Sequence, residues 1–314
     1  MDRRPSIFVI GSLNADLVQN VGRLPGAAET LLGGEVRTFA GGKGGNQAVA
    51  AARMGGRVSM IGEVGRDGFG QLLLESLRSA GVDTEQVGFV NGSSGTAIIF
   101  VLPNGENAIV VSPGANASLT PEEASSRLAA LRPASLLLCQ LEIPLNTVGA
   151  ALKLGKQREA TTILDPAPAH PDCLRFLHDV DFLTPNETEA LQLLNRDRPI
   201  GSDDDARQVA RELRRLGAAS VVLKLGARGC YVCHEDCSVL VNGLEVNAVD
   251  TTAAGDTFNG AFACALGEGK TVIEAAHFAN AAAALSVTCS GAQSSIPTRE
   301  EVEEFLERSA AGIL

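Results

Sequence analysis

Asp250-Thr251-Thr252-Ala253-Ala254-Gly255-Asp256 joins a strand-like apolar run at residues 244–249 to a helix-like run at 257–266, and this junction sets the fold class. The first backbone N–H groups of a helix have no internal partners, so a strand-to-helix junction is a ready anion site. Ala253, Ala254 and Gly255 leave room for a polyphosphate to approach that backbone. Asp256 brings a carboxylate to the same place, where the helix dipole is expected to keep it ionised at neutral pH. A carboxylate beside a phosphate cradle is what phosphoryl transfer to an alcohol requires.

Outward from the junction the chain alternates. Strands are expected at 135–141, 161–165, 182–184 and 220–225, with helices at 145–155, 187–195 and 204–216. Nearer the N-terminus, Ser6–Ile10 reads as a buried strand ending at Gly11, followed by a helix at 43–54, a strand at 57–61 and a helix at 68–80. Short, continuously apolar strands alternating with helices predict an α/β protein, a three-layer α/β/α stack around a mostly parallel, Rossmann-like sheet. Two stretches break the rhythm. Residues 16–40 hold short strand-like pieces broken by Gly and Pro, and 95–112 reads as a hairpin turning at Pro103-Asn104-Gly105-Glu106. Both are expected to form a small β-strand lid, at about 15–40 and 95–111, on an α/β body within one domain of 314 residues.

Bulk properties narrow the partners. A net charge of −11 repels nucleic acid and acidic membranes, so an anionic substrate needs local lysines and helix N-termini. The apolar run after Arg3 and Arg4 is too short for a signal peptide, and no window reaches the length of a membrane-spanning helix. Seven cysteines, an odd number without framework spacing, point to a reducing cytoplasm.

Four more segments fall at strand ends. Gly11-Ser12-Leu13-Asn14-Ala15-Asp16 follows the first strand, at the carboxyl edge where open α/β sheets bind ligands. Asn14 offers donor and acceptor there, and Asp16 a bidentate acceptor for vicinal hydroxyls; a plain Asx-capped turn would use the same residues. Gly41-Gly42-Lys43-Gly44-Gly45-Asn46-Gln47 opens a helix with four glycines around a lysine, letting backbone come close to a ligand. Gly44 stands where a Walker A loop has Ser or Thr, so that motif is excluded. In Thr184-Pro185-Asn186-Glu187-Thr188-Glu189, Asn186 and Glu189 share a helix face. That spacing serves a helix cap equally well, or sets Asn186 near nucleotide phosphates and Glu189 on magnesium-bound water. Lys224-Leu225-Gly226-Ala227-Arg228-Gly229 puts positive charge and two glycines at another strand end, where a strand-to-hairpin turn would look the same.

Two other signals are discounted. Gly267-Glu268-Gly269-Lys270-Thr271 resembles the end of a Walker A loop but follows a helix, as a C-cap does. Cys230, Cys233, His234 and Cys237 imitate zinc spacing, yet they alternate with Tyr231 and Val232 in a strand-like run, as small buried residues would.

With the Gly41–Gln47 loop and the Asp250–Ala261 segment together, the chain resembles the ribokinase-like (PfkB) carbohydrate kinase family over nearly its whole length. Asn14-Ala15-Asp16, Asp165-Pro166-Ala167-Pro168 and Thr184–Glu189 resemble its ribose-phosphorylating branch most. The resemblance implies ATP-dependent transfer of the γ-phosphoryl group to the 5-hydroxyl of D-ribose. In that scheme Asp256 is the base, and Gly255, Ala254 and Ala253 form the anion hole. Asn14, Asp16, Gly42, Lys43, Asn46 and Glu142 would grip the sugar. Asn186, Glu189, Lys224, Gly226, Gly229 and Asn280 would hold the nucleotide with its Mg2+. An activating potassium ion would sit among Asp250, Thr252, Ser286, Cys289, Gly291 and Ser295, mostly on backbone carbonyls. Pairing of two lids would give a homodimer. Lys224 stands where the family's bacterial ribose kinases more often carry threonine, and Ser286 where alanine is common.

Other acceptors fit the same chemistry: 2-deoxyribose, another pentose or ketohexose, or a nucleoside. Asn14 and Asp16 favour ribose, because a carboxylate left unpaired rejects the smaller sugar. A nucleoside would need a shelf for its base, and Phe39, Ile98 and Phe100 supply little of one. A non-catalytic sugar sensor would be expected to have lost Asp256 or Gly255, and both are present.

Overall fold

A computed structural model describes residues 4–103, 106–235 and 237–312. From the N-terminus, β1 (Ser6–Ile10) leads to β2 (Asn14–Asn20), β3 (Val36–Gly41), α1 (Lys43–Arg53), β4 (Arg57–Gly65), α2 (Gly68–Ser79) and β5 (Val87–Val90). Next come β6 (Gly95–Val101), β7 (Asn107–Ser112), α3 (Pro121–Arg127), β8 (Leu136–Cys139), α4 (Leu145–Gln157), β9 (Thr161–Leu164) and β10 (Phe182–Leu183). Then follow α5 (Glu187–Leu193), α6 (Asp203–Arg215), β11 (Ser220–Lys224), β12 (Gly229–His234) and β13 (Cys237–Asn242). Three helices come last: α7 (Ala254–Gly267), α8 (Val272–Ser286) and α9 (Arg299–Ala310).

Nine strands form one sheet in the order β13-β12-β11-β10-β9-β8-β1-β4-β5. Its pairs are parallel from β11 to β5, and antiparallel where β12 and β13 turn back. The pleat sends Ile7 and Val9 of β1 into one core and Phe8 and Ile10 into the other. The first core is closed by α1, α2, α7, α8 and α9, the second by α3 to α6, which gives the three layers. Burial on both faces is why these strands read as unbroken apolar runs. The same pleat parts the cysteines: Cys230 packs into the first core and Cys233 into the second, so the zinc-like spacing does not gather its ligands.

The segments that break the alternation form a four-stranded sheet, ordered β3-β2-β6-β7. In it β2 runs antiparallel to β3 and parallel to β6, and β6 pairs antiparallel with β7. The expected hairpin is thus β6–β7, while its Asn104-Gly105 turn lies outside the described residues.

One expectation fails at the deciding junction. Residues 244–249 are not a strand but an irregular, largely exposed segment. Leu244 and Val246 pack onto the core beneath α7 and α8, so their apolar signal came from helix packing, not from strand pairing. Helix α7 also starts earlier than expected, at Ala254. The short edge strand β5 had no clear signal of its own. No helix among the described residues is long and apolar enough to cross a membrane.

Candidate active site

The loops after β1, β8, β9, β10 and β11 all open on the carboxyl edge of the large sheet, and each supplies a polar side chain to one site. Helix α7 completes it. Ala253 adopts a left-handed conformation (φ 59°, ψ 10°) just before the helix begins. A left-handed residue followed by helical ones turns successive N–H groups inward, making an anion nest at the positive end of the helix dipole. Asp256, in the first turn, is 6 % exposed.

A hydrogen-bond network fixes that carboxylate. Asn46 Nδ2 donates to Asp256 Oδ2 at 2.9 Å, and Gln47 Nε2 donates to Asp256 Oδ1 at 3.1 Å. Gln47 Nε2 also donates to Asp165 Oδ2 at 2.9 Å, while Gln47 Oε1 accepts from Gln140 Nε2 at 2.5 Å. Asp165 Oδ1 in turn accepts from Lys224 Nζ at 3.0 Å. Burial pushes the Asp256 carboxyl up to about 6; Lys43, Asn46 and Gln47 oppose the rise and Asp165 adds to it. The carboxyl thus lies above the ordinary carboxylate range, yet it is still ionised at neutral pH as the sequence suggested. It remains mostly ionised at pH 7 with a margin of about one unit.

On one side of Asp256 lies a polar floor. Asn14 is 3 % and Asp16 9 % exposed. Asn116 Nδ2 donates to Asn14 Oδ1 at 2.7 Å, so the Asn14 amide must present its own N–H groups. Glu142 Oε2 accepts from Ser12 Oγ at 2.5 Å, from the Lys43 backbone N–H at 3.2 Å and from Asn14 Nδ2 at 3.5 Å. Gly42 makes the turn into α1 with φ 83°, and a β-carbon there would lie 2.6 Å from the Asn14 backbone nitrogen. No described residue donates a hydrogen bond to the Asp16 carboxylate, and Asn46 Oδ1 is buried without a partner. Burial, helped by Glu142 and Asp256, pushes the Asp16 carboxyl up to about 7. For Lys43, burial works against the charge, but Asp256, Asp165, Glu142 and Glu189 outweigh it and raise its pKa.

On the other side a cleft of about 1220 Å3 runs from Lys43, Asp165 and Asp256 past Asn186, Glu189 and Lys224 to Asn280, with Gly226 and Gly229 in its wall. Its polar side chains are largely occupied with one another. Glu189 Oε2 accepts from the Asn186 backbone N–H at 2.7 Å and Oε1 from Asn186 Nδ2 at 2.9 Å, so the spacing serves the cap of α5 first. Asn280 uses Nδ2 to bind the Val241 and Asn242 carbonyls at 3.0 and 3.2 Å, tying α8 to β13 and leaving Oδ1 for the cleft. Lys224 is paired with Asp165 instead of pointing freely into solvent.

Beyond the α7 terminus, Asp250 ties two loops together. It accepts from the Thr252 backbone N–H at 2.9 Å, from Thr252 Oγ1 at 2.6 Å and from the Gly291 backbone N–H at 2.9 Å. Burial alone would raise its pKa, but these bonds prevail and lower it. Ser286 and Ser295 are buried nearby in the chain segment that ends with Gly291 and its successors, while Cys289 is exposed.

Sequence reasoning passed over Asn116, Gln140 and Asp165 as site residues and gave Gln47 no role. Asp165 and Gln47 stood inside quoted motifs at a strand end and a helix start. Nothing in Gly114-Ala115-Asn116 marked Asn116, whose importance comes from a contact across 102 residues.

A buried carboxylate beneath a backbone anion nest, with a polar floor on one side and a long cleft on the other, is the arrangement of a sugar kinase. The pfkB family carbohydrate kinase signature matches residues 4–299, and the chain belongs to that family. It is 41% identical to the ribokinase of Haemophilus influenzae, over 98% of this chain and 100% of that protein. It is also 38% identical to the deoxyribokinase of Salmonella typhi, over 96% of this chain and 98% of that one. Among solved structures, the Arabidopsis thaliana ribokinase complexed with ribose and ATP is similar, with a TM-score of 0.85 and 32% identity, covering 97% of this chain and 99% of that one.

Proposed function

We propose that this protein transfers the γ-phosphoryl group of ATP to the 5-hydroxyl of D-ribose, giving D-ribose 5-phosphate and ADP. The observation that carries this is Asp256, buried at the anion nest where the polar floor and the cleft meet. Asp256 takes the hydroxyl proton, and the N–H groups of Ala254 and Gly255, turned by Ala253, receive the transferring phosphoryl. Asn14, Asp16, Gly42, Lys43, Asn46 and Glu142 hold the sugar. Asn186, Glu189, Lys224, Gly226, Gly229 and Asn280 line the nucleotide's place.

Magnesium would be carried in on the nucleotide's phosphates, with Glu189 and Asn186, which line the cleft, near its waters. When bound, magnesium offsets phosphate charge. A potassium ion would sit at the loops that Asp250 ties together, with backbone carbonyls of Thr252, Ser286, Cys289, Gly291 and Ser295 as its oxygen ligands. Exchanging sodium for potassium in the buffer should raise turnover; no response would remove that site.

The four-stranded sheet acts as a lid over the sugar and as the contact of a homodimer. Its strand β7 exposes Ile109, Val110 and Val111, at 51, 62 and 46 %, on both of its faces. Seven unpaired cysteines suit a reducing cytoplasm.

The likeness to a deoxyribokinase makes 2-deoxyribose the competing acceptor. Asp16 argues for ribose, since a buried carboxylate with no donor from the protein wants the full set of hydroxyls. A coupled ADP-release assay over ribose, 2-deoxyribose, fructose, tagatose and adenosine tests this. Ribose should give the highest kcat/KM; a preference for any other acceptor overturns the assignment.

A further inference from the structure

Lys224 offers more positive charge to the site than its ion pair uses. Its backbone is clamped at the end of β11, where its N–H donates to the Pro185 carbonyl at 2.8 Å. Its side chain, 12 % exposed, reaches back over the start of α7. A β-carbon placed on Gly255 would lie 3.3 Å from Lys224 Nζ. One N–H of the ammonium goes to Asp165 Oδ1, and no other described residue accepts from the remaining two. Those two donors stand in the cleft beside the anion nest. Asp165 has its second oxygen on Gln47, so it holds the lysine in place without neutralising the far side of the ammonium.

We infer that Lys224 is a second catalytic cation of this enzyme, donating to the γ-phosphoryl oxygens during transfer, with Asp165 as the residue that positions it. The inference rests on the kinase function proposed above and adds a group to it. In the step concerned, the sugar oxygen forms a bond to the γ-phosphorus and gives its proton to Asp256. The bond from phosphorus to the bridging oxygen breaks, and ADP departs with that electron pair. Lys224 keeps its proton throughout and binds equatorial oxygens, where a fixed cation in a water-poor cleft stabilises spreading charge. In this scheme the cation stands beside the anion nest that receives the transferring phosphoryl, so ADP, which lacks that group, should bind without it.

The test compares wild type, Lys224→Met, Lys224→Arg and the charge-balanced double variant Asp165→Asn/Lys224→Met. Turnover is read by ADP release with ribose, and ADP affinity by calorimetry. Lys224→Met should lose on the order of 100-fold in kcat, the range for removing one donor to a developing oxyanion. Its ADP affinity should stay within about twofold, since the lost contact belongs to the transition state. Lys224→Arg should recover at least about tenfold of that loss by restoring the cation. The double variant, which leaves no unpaired carboxylate, should stay as slow as Lys224→Met. Should Lys224→Met fail to fold, the double variant and Lys224→Arg carry the comparison. Turnover of Lys224→Met within about threefold of wild type overturns the inference, as does recovery in the double variant, which would make Lys224 a counterion only. A matching loss of ADP affinity also overturns it, by moving the lysine to the β-phosphate. A wild type that releases no ADP with any sugar instead refutes the kinase function itself.

Discussion

The two sides of Asp256 are built on opposite principles. On the sugar side, the Asp16 carboxylate, Asn46 Oδ1 and the Lys43 ammonium have no hydrogen-bond partner among the described residues, although all are in or near the buried floor and four carboxylates act on Lys43 through their charge. On the nucleotide side, Asn186 with Glu189 and Asn280 with two carbonyls satisfy one another before any ligand arrives, and Lys224 keeps donors beyond its pair with Asp165. Unpaired buried polar groups cost folding free energy, so several of them gathered around one space point to a ligand that completes them. The sugar floor thus rejects whatever fails to fill its vacant valences. The cleft, with few free side chains besides Lys224, recognises its ligand by shape, backbone and one exposed helix terminus.

The contrast can be broken most sharply at the border. Asp256→Asn should lower kcat by about 1,000-fold or more while ADP binding, measured by calorimetry, stays nearly unchanged. Near-normal turnover would sink the assignment of the base. Next in size, Asp16→Asn should reduce kcat/KM for ribose by about 100-fold and narrow the preference over 2-deoxyribose, because the vacant carboxylate is the discriminating group. An unchanged ratio between the two sugars would place discrimination elsewhere.

Acidity should trace the same border. With Asp256 titrating at about 6, kcat/KM should fall roughly tenfold per pH unit below that value and level off above it. Stability moves the other way. The two carboxyls titrate near 3.8 when unfolded, but at about 7 for Asp16 and about 6 for Asp256 when folded. Between those values the folded protein keeps protons that the unfolded chain has lost, so stability falls as pH rises from about 4 to about 7. Asp16→Asn should therefore melt higher than wild type at pH 8 in the absence of sugar; an equal or lower Tm counts against a vacant charge at this position. The smallest catalytic effect is expected at Asn280. Asn280→Leu should cost about 1–3 kcal/mol of stability by orphaning two carbonyls, yet change KM for ATP by less than about threefold.

Legibility in the sequence follows the same divide. The alternation of apolar strands and helices, the glycine-lysine loop and the Asp250–Asp256 junction are local patterns, and the fold brings the loop and the junction together through Asn46 and Asp256. What local pattern could not carry is who satisfies whom. Asn186 and Glu189 read equally as cap or ligand, and in the folded protein the cap takes their hydrogen bonds. Asn116 was invisible because its contact to Asn14 depends on β6 starting beside it, where a side chain on Gly95 would strike both amides. The apolar run at 244–249 resembled a strand because packing on helices and pairing in a sheet leave the same mark over six residues. The rise of Asp256 toward neutrality depends on total burial, a property of the assembled layers.

The order of the large sheet sets a timetable for the growing chain. Once β1, β4 and β5 have paired, every later strand of that sheet, from β8 through β13, joins the same advancing edge in the order in which it is synthesised. No strand has to wait for a gap to open between two neighbours, and none threads past one already placed. Helix α7 follows the last of them in the chain, so Asp256 is translated after every strand of the sheet. The residues of the polar floor on β2 and at the start of α1 are likewise translated well before Asp256, so the groups that would hold the sugar precede the group that would take its proton.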